Sequence, residues 1–257
     1  MLPATAALAL LLPLALVGPA AAVEWGGLKG RFVVDGKPPA PADPQVTADE
    51  FCINCQPKQQ SVVVGKSGGL ANAVVWLRAP RGESLPLPPG DSGKLAEPVE
   101  LANKNCVFTP HVTLLRAGQT LRITNQDPTG HNTKFDLIRN AAFNQLIPAS
   151  GKISKQFAEA ESKPLPVACN IHPFMRGYVL VRDDPYMAVA DAEGRFEIAL
   201  LPAGTHELQF WHETGYLKNL ALPTGETSRR GRAELEVVAG ETLDLGDIAV
   251  PAELLVD

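Results

Sequence analysis

Beyond residue 22 the 257-residue sequence holds no apolar run approaching the roughly 20 residues that cross a bilayer, so no membrane span is expected in the rest of the chain. An excess of positive charge is also missing: 28 acidic against 23 basic side chains leave a net charge of −5, and no nucleic-acid partner is expected. No paired carboxylates, nucleophile with its base, or phosphate-binding glycine loop stands out, so no enzymatic activity is expected. Histidine is scarce, with five in the chain, which leaves few ways to build more than one imidazole-rich site.

What is present points to an exported β protein. Residues 1–22 carry no charge and run through Leu8–Val17 into the small residues Gly18, Pro19, Ala20, Ala21 and Ala22, the pattern of a signal peptide cut near Ala22. No Lys or Arg precedes the apolar run, which leaves an uncleaved N-terminal anchor as the alternative. The mature chain is expected in the periplasm or secreted, where disulfides form. The 23 prolines and 22 glycines favour turns over long helices. Charge is divided unevenly: residues 23–182 hold 18 basic and 13 acidic groups, residues 183–257 hold 5 and 15, and a boundary between two units is expected near Arg182.

Short strand-like runs cover Leu28–Val34, Ser61–Gly65, Ala73–Leu77, Val112–Leu115, Thr120–Asn125 and Tyr178–Arg182. The proline- and glycine-rich stretch 79–98 reads as a long surface connection, and Asn140–Ile147 as a short helix or a loop. After Arg182, strands are expected at Tyr186–Ala190, Arg195–Ala199, Thr205–His212, Ala233–Val238 and Leu243–Val250, the first three joined by turns of hairpin length ending in Gly194 and Gly204. The expected fold class is all-β. The run Gly194–Leu208 resembles the carboxypeptidase-regulatory-like family of transthyretin-like, carbohydrate-binding-like sandwiches. That resemblance implies a smaller β-sandwich over residues 183–257 and says little of function; carbohydrate is a weakly supported partner.

Chemistry concentrates in Cys169–Met175, where Cys169, His172 and Met175 set a thiol, an imidazole and a thioether at three-residue intervals. Thiolate and imidazole suit copper, and a weak thioether completes the trigonal arrangement of electron-transfer copper sites, which needs one more histidine. The strand-like run Thr120–Asn125 ends in a turn that presents His131, 38 residues before Cys169.

With these residues in view the sequence resembles the cupredoxins, and the loop Cys169–Gly177 is most similar to the ligand loop of amicyanin. The resemblance implies a cupredoxin Greek-key β-sandwich over residues 23–182, with 79–98 as an insertion. It implies one Cu(I)/Cu(II) ion held by His131, Cys169, His172 and Met175, with His172 at the solvent edge and Met175 axial. Asn132 would tie the two ligand segments together, and Pro173 and Phe174 would ring an exposed edge of His172 on which a transient redox protein partner docks. The implied function is that of a mononuclear type 1 (blue) copper protein for one-electron transfer, its potential tuned by Met175 and by the surroundings of the Cys169 sulfur. A cupredoxin followed by a regulatory-like sandwich also resembles proteins of methylamine-utilisation or plastocyanin-like type. The alternatives are a non-redox β-sandwich binding module for carbohydrate or protein, and a copper chaperone or storage protein.

Three cysteines remain. Cys106 is expected to pair with Cys52 or Cys55, leaving one thiol over. Cys52-x2-Cys55 pairing with itself is the redox alternative, without the βαβ context such motifs have. Together with Cys169-x2-His172 it also spells a zinc pattern, with 113 residues between the halves. His111 reads as an exposed turn residue or a neighbour of the metal, His206 and His212 as residues on a sandwich face, and Trp211 as core.

Overall fold

The computed structural model describes residues 22–256 except 41, 81, 94 and 96; the expected signal peptide, apart from Ala22, lies outside the described residues. The chain is all-β: among the described residues four larger sheets form two sandwiches, and Ala221–Leu222 and Gly225–Glu226 pair in a separate two-stranded ribbon. In the first, a sheet ordered Val107–Thr109, Val99–Lys104, Thr120–Asn125, Lys152–Gln156 packs with one ordered Val112–Arg116, Arg176–Arg182, Leu165–Ala168, His131–Phe135, Phe143–Ile147. Leu101, Phe108, Leu121, Phe135, Phe157 and Val179 fill the space between them. In the second, a sheet ordered Arg195–Pro202, Trp25–Asp35, Thr242–Pro251 packs with one in which Val74–Arg78 lies between Met187–Val189 and Gly204–His212. Its core holds Leu28, Phe32, Val75, Leu77, Phe210 and Ile248.

The alternation of side chains along a strand explains how the two sandwiches meet. Val75 and Leu77 enter the second core, whereas Val74 and Trp76 join Val112, Leu180 and Trp211 in a separate cluster at the seam. Strands buried on both faces read as unbroken apolar runs, which is why Val74–Leu77 shows no alternation in sequence. Trp211 is core, as expected, its ring edge-on to Tyr178 at 5.1 Å. Leu180→Ala should therefore lower stability by about 2–3 kcal/mol in a guanidinium titration, as loss of a buried leucine does, while leaving the chemistry of the first sandwich unchanged.

The expected boundary at Arg182 does not follow the strand pairing. Trp25–Asp35 and Val74–Arg78, expected in the unit that holds His131, instead supply interior strands to the two sheets of the second sandwich. Interior position satisfies both backbone edges of Trp25–Asp35: antiparallel to Arg195–Pro202 and parallel to Thr242–Pro251. It follows that Met187–Val189, Arg195–Pro202 and Gly204–His212 alternate between facing sheets, so the short turns between them are arches and not hairpins. Gly194 is needed at one of them, because its φ is +80° and a Cβ there would stand 2.2 Å from the Phe32 carbonyl oxygen.

Two further expectations change. Phe143–Ile147 is neither helix nor loop but an edge strand paired with His131–Phe135, and Ser61–Gly65 contributes only a bridge between Val64 and Leu70. Between the first two strands the chain leaves the second sandwich and reaches over one end of the first. There the short helix Glu50–Cys55, capped by the Asp49 carboxylate on the Cys52 amide, is pinned by a Cys52–Cys106 disulfide. Cys52 is thus the partner of Cys106, and Cys55 keeps a free thiol.

Candidate metal centre

The site forms where two antiparallel strands end. Lys134 pairs with Ala168, so the residues that follow Ala168 run back alongside His131, Asn132 and Thr133. Backbone bonds from Cys169 to the Met175 carbonyl (3.3 Å) and from Met175 to the His172 carbonyl (2.8 Å) fold the ligand loop on itself. Asn132 then stitches the loop to its neighbour: its Oδ1 accepts from the amides of Asn170 (2.7 Å) and Ile171 (3.1 Å) and from Cys169 Sγ (3.4 Å). Its Nδ2 donates to Asn144 Oδ1 at 2.7 Å, which anchors the tie in the adjoining edge strand.

Within this frame His131 Nδ1 and His172 Nδ1 face each other at 3.0 Å, and Cys169 Sγ lies 3.9 Å from His172 Nδ1. The three donor atoms are within 4.8 Å of one another, a spacing that one ion with bonds of roughly 2.0–2.3 Å can span. Exposure is 0 % for His131, 1 % for Cys169, 3 % for His172 and 1 % for Met175. Met175 packs in the same cluster as Cys169, and the Phe174 ring sits 5.8 Å from that of His172.

A carboxylate fixes the tautomer of His131, and a second lies at ion-pair distance from His172. His131 Nε2 is 2.9 Å from Asp127 Oδ2, and His172 Nε2 is 3.5 Å from Asp49 Oδ2. Since a carboxylate only accepts, the His131 Nε2 carries the hydrogen and its Nδ1 presents a lone pair toward His172. At 3.0 Å the two Nδ1 atoms are close enough to share one hydrogen, and a metal ion taking its place would draw a lone pair from each. Burial pulls the His131 pKa below the usual imidazole value despite its bond to Asp127, which keeps its Nδ1 available as a donor to a metal. The Asp49 carboxyl is held below the usual range chiefly by the Thr129 hydroxyl, which donates to it, and so stays ionised beside His172. The donor set therefore fits a thiophilic, imidazole-binding metal ion.

Asp127 and Asp49, which lie beside the two imidazoles, were not picked out from the sequence. Asp127 also accepts from the amides of Asn105 (2.6 Å) and Cys106 (2.9 Å), and the disulfide sulfurs lie close behind both imidazoles. Asp127 had a signal, standing four residues before His131 in a turn; Asp49 had none.

His172 is not at a solvent edge, because the segment that carries Asp49, held by the disulfide, covers it. Neither the Cys52–Cys55 redox pair nor the zinc pattern is formed, since Cys52 is bonded to Cys106. His111 is buried, not an exposed turn residue, and contacts Gln60 and Glu213 instead of the three donors. His206 rests on the Pro202 carbonyl at 2.7 Å, and His212 is buried at the end of its strand.

No protein-family model and no curated protein matches the chain. Among solved structures it is similar to amicyanin from Paracoccus versutus (Thiobacillus versutus), at 22% identity and a TM-score of 0.30, over 42% of this chain and 97% of that one. It is also similar to a variant of amicyanin in its oxidized state, at 24% identity and a TM-score of 0.30, over 33% of this chain and 81% of that one. A Cu-containing nitrite reductase from Thermus scotoductus SA-01 is similar at 19% identity and a TM-score of 0.31, over 41% of this chain and 25% of that one. Scores this low leave the chemistry of the site to its own donor geometry.

Proposed function

We propose that the chain is a mononuclear type 1 copper protein that passes single electrons in the periplasm or outside the cell, with His131, Cys169, His172 and Met175 as its ligands. The observation that carries this reading is the convergence of His131, Cys169 and His172, their donor atoms within 4.8 Å of one another and the two Nδ1 atoms 3.0 Å apart, with Asp127 bonded to the far side of His131. A copper ion bound there would accept and release one electron. The chain's contribution is rigidity: Asn132 holds the ligand loop, Asp127 and Asp49 hold the imidazoles, and the disulfide holds the segments that carry or support those carboxylates. Donors that are fixed before an electron arrives have little rearrangement left to make. With His172 covered, contact with a transient redox partner falls to the exposed tip of the loop at Asn170, Ile171 and Pro173. No catalytic role is proposed.

Loading with Cu(II) should give an intense visible absorption and a narrow copper hyperfine pattern in electron paramagnetic resonance, both lost in His131→Ala and Cys169→Ala. Colourless copper binding that exchanges readily with an acceptor would replace this reading with a chaperone or store. Absence of copper binding would leave a non-redox module.

A further inference from the structure

We propose that the Cys52–Cys106 disulfide masks a second metal site, which opens on reduction and takes one Cu(I) ion between the two freed thiolates. Its ligands are not those of the centre at His131, and it stands or falls separately.

The surroundings of the bridge point to a metal. Each sulfur belongs to a trio of metal-binding groups whose donor atoms lie within 4.8 Å of one another: Cys52 with Asp49 and His172, and Cys106 with Asp127 and His131. The trios share no residue, so a single bond joins two sets of donors, all of them buried except Asp49. A bridge that only fastened a helix would do so equally well among apolar side chains.

While the sulfurs are bonded to each other they carry no charge and hold an ion poorly. Reduction by a dithiol changes that: the S–S bond breaks, two electrons and two protons pass from the dithiol, which closes to its own disulfide, and Cys52 and Cys106 become thiols. A metal ion then displaces the proton from each thiol and offsets the charge that two thiolates would otherwise bring into a buried place. The Cα atoms are 5.6 Å apart, which keeps both sulfurs within reach of one ion. Paired thiolates suit a soft ion such as Cu(I), and the carboxylates of Asp49 and Asp127 stand beside them. Cys52 and Cys106 are fully buried, but the helix Glu50–Cys55 belongs to no sheet, so it can lift to admit a small reductant without unpairing a strand.

The test compares the full chain as purified with the same chain reduced by a small dithiol and then freed of it, both titrated with Cu(I) without oxygen against a coloured Cu(I) chelator. Alkylation and mass spectrometry count the thiols, and circular dichroism verifies the fold. The reduced chain should bind one Cu(I) more than the oxidised chain, whatever the oxidised chain binds at His131, so failure of the first centre and failure of this one are read separately. Cys52→Ser with Cys106→Ser should bind the same number before and after the dithiol, and Cys55→Ser should keep the added equivalent. Should the double variant fail to fold, reclosing the bridge of the unsubstituted chain with a small disulfide serves instead, and should expel the added ion. A bridge that stays closed in the folded chain, a reduced chain that unfolds even with Cu(I), or two freed thiols without an added equivalent would overturn the proposal and leave the disulfide a fastener.

Discussion

Replacing Asp127 with alanine should lower stability by about 4 kcal/mol and copper affinity by about 10–100-fold. The side chain is 2 % exposed and serves three donors: the amides of Asn105 and Cys106 and the Nε2 hydrogen of His131. Alanine leaves all three without a partner in a site that water does not readily reach, at about 1–3 kcal/mol each. The affinity loss has a separate origin, because His131 is then free to exchange tautomers and turn, and a preset lone pair is lost. Asp127→Asn separates the two effects. With its oxygen in the place of Oδ2 it can still accept from Cys106 and His131, while its NH2 faces the Asn105 amide, so only part of the stability should return and the bond to His131 is replaced by a neutral and weaker one. Urea titration reads the first quantity and competition with a copper chelator the second. Unchanged affinity in both variants would make Asp127 a support for the turn alone.

Removing the disulfide by Cys52→Ser with Cys106→Ser should lower stability by about 4 kcal/mol, the loop-closure estimate for a separation of 54 residues. The effect should reach the centre as well. The bridge fastens the helix that Asp49 caps to the turn that Asp127 supports, so its loss loosens the segment covering His172. Reduction of the copper-loaded protein by a small anionic or neutral reagent should then become faster, with the visible spectrum little changed, because the ligands themselves remain. A stability loss below 1 kcal/mol together with unaltered reduction rates would show that the cover holds without its fastening.

The donors were legible because their relation is covalent and local. Cys169, His172 and Met175 recur at one interval in a single loop, and His131 opens a strand that a turn announces. The carboxylates behind the imidazoles were not legible to the same degree: Asp49 meets His172 only through tertiary folding across 123 residues. The burial of His172 escaped for the same reason. The choice of Cys52 over Cys55 could not be made from spacing, since residues one helical turn apart differ only in which one faces Cys106. Leu28–Val34 and Ala73–Leu77 were recognisable as strands, but an apolar pattern reports that a face is buried and not what buries it. Trp25 pairs with Pro202 and Gly27 with Thr242, partners that no local signal marks. Phe143–Ile147 was hard to see because, as an edge strand, it exposes three of its five residues and lacks the alternation that betrays a core face.

The interior placement of Trp25–Asp35 also bears on how the protein is made. Among the described residues all nine strands of the sandwich around His131 lie consecutively between residues 99 and 182, so that body has every strand it needs before the final quarter of the chain emerges from the ribosome. Trp25–Asp35 emerges earlier still, yet both its neighbours come from residues 195–251, and it must wait with its ladder groups unclaimed. For the same reason a fragment beginning at residue 183 is a poor object for expression, since it lacks an interior strand of each sheet it would need to complete.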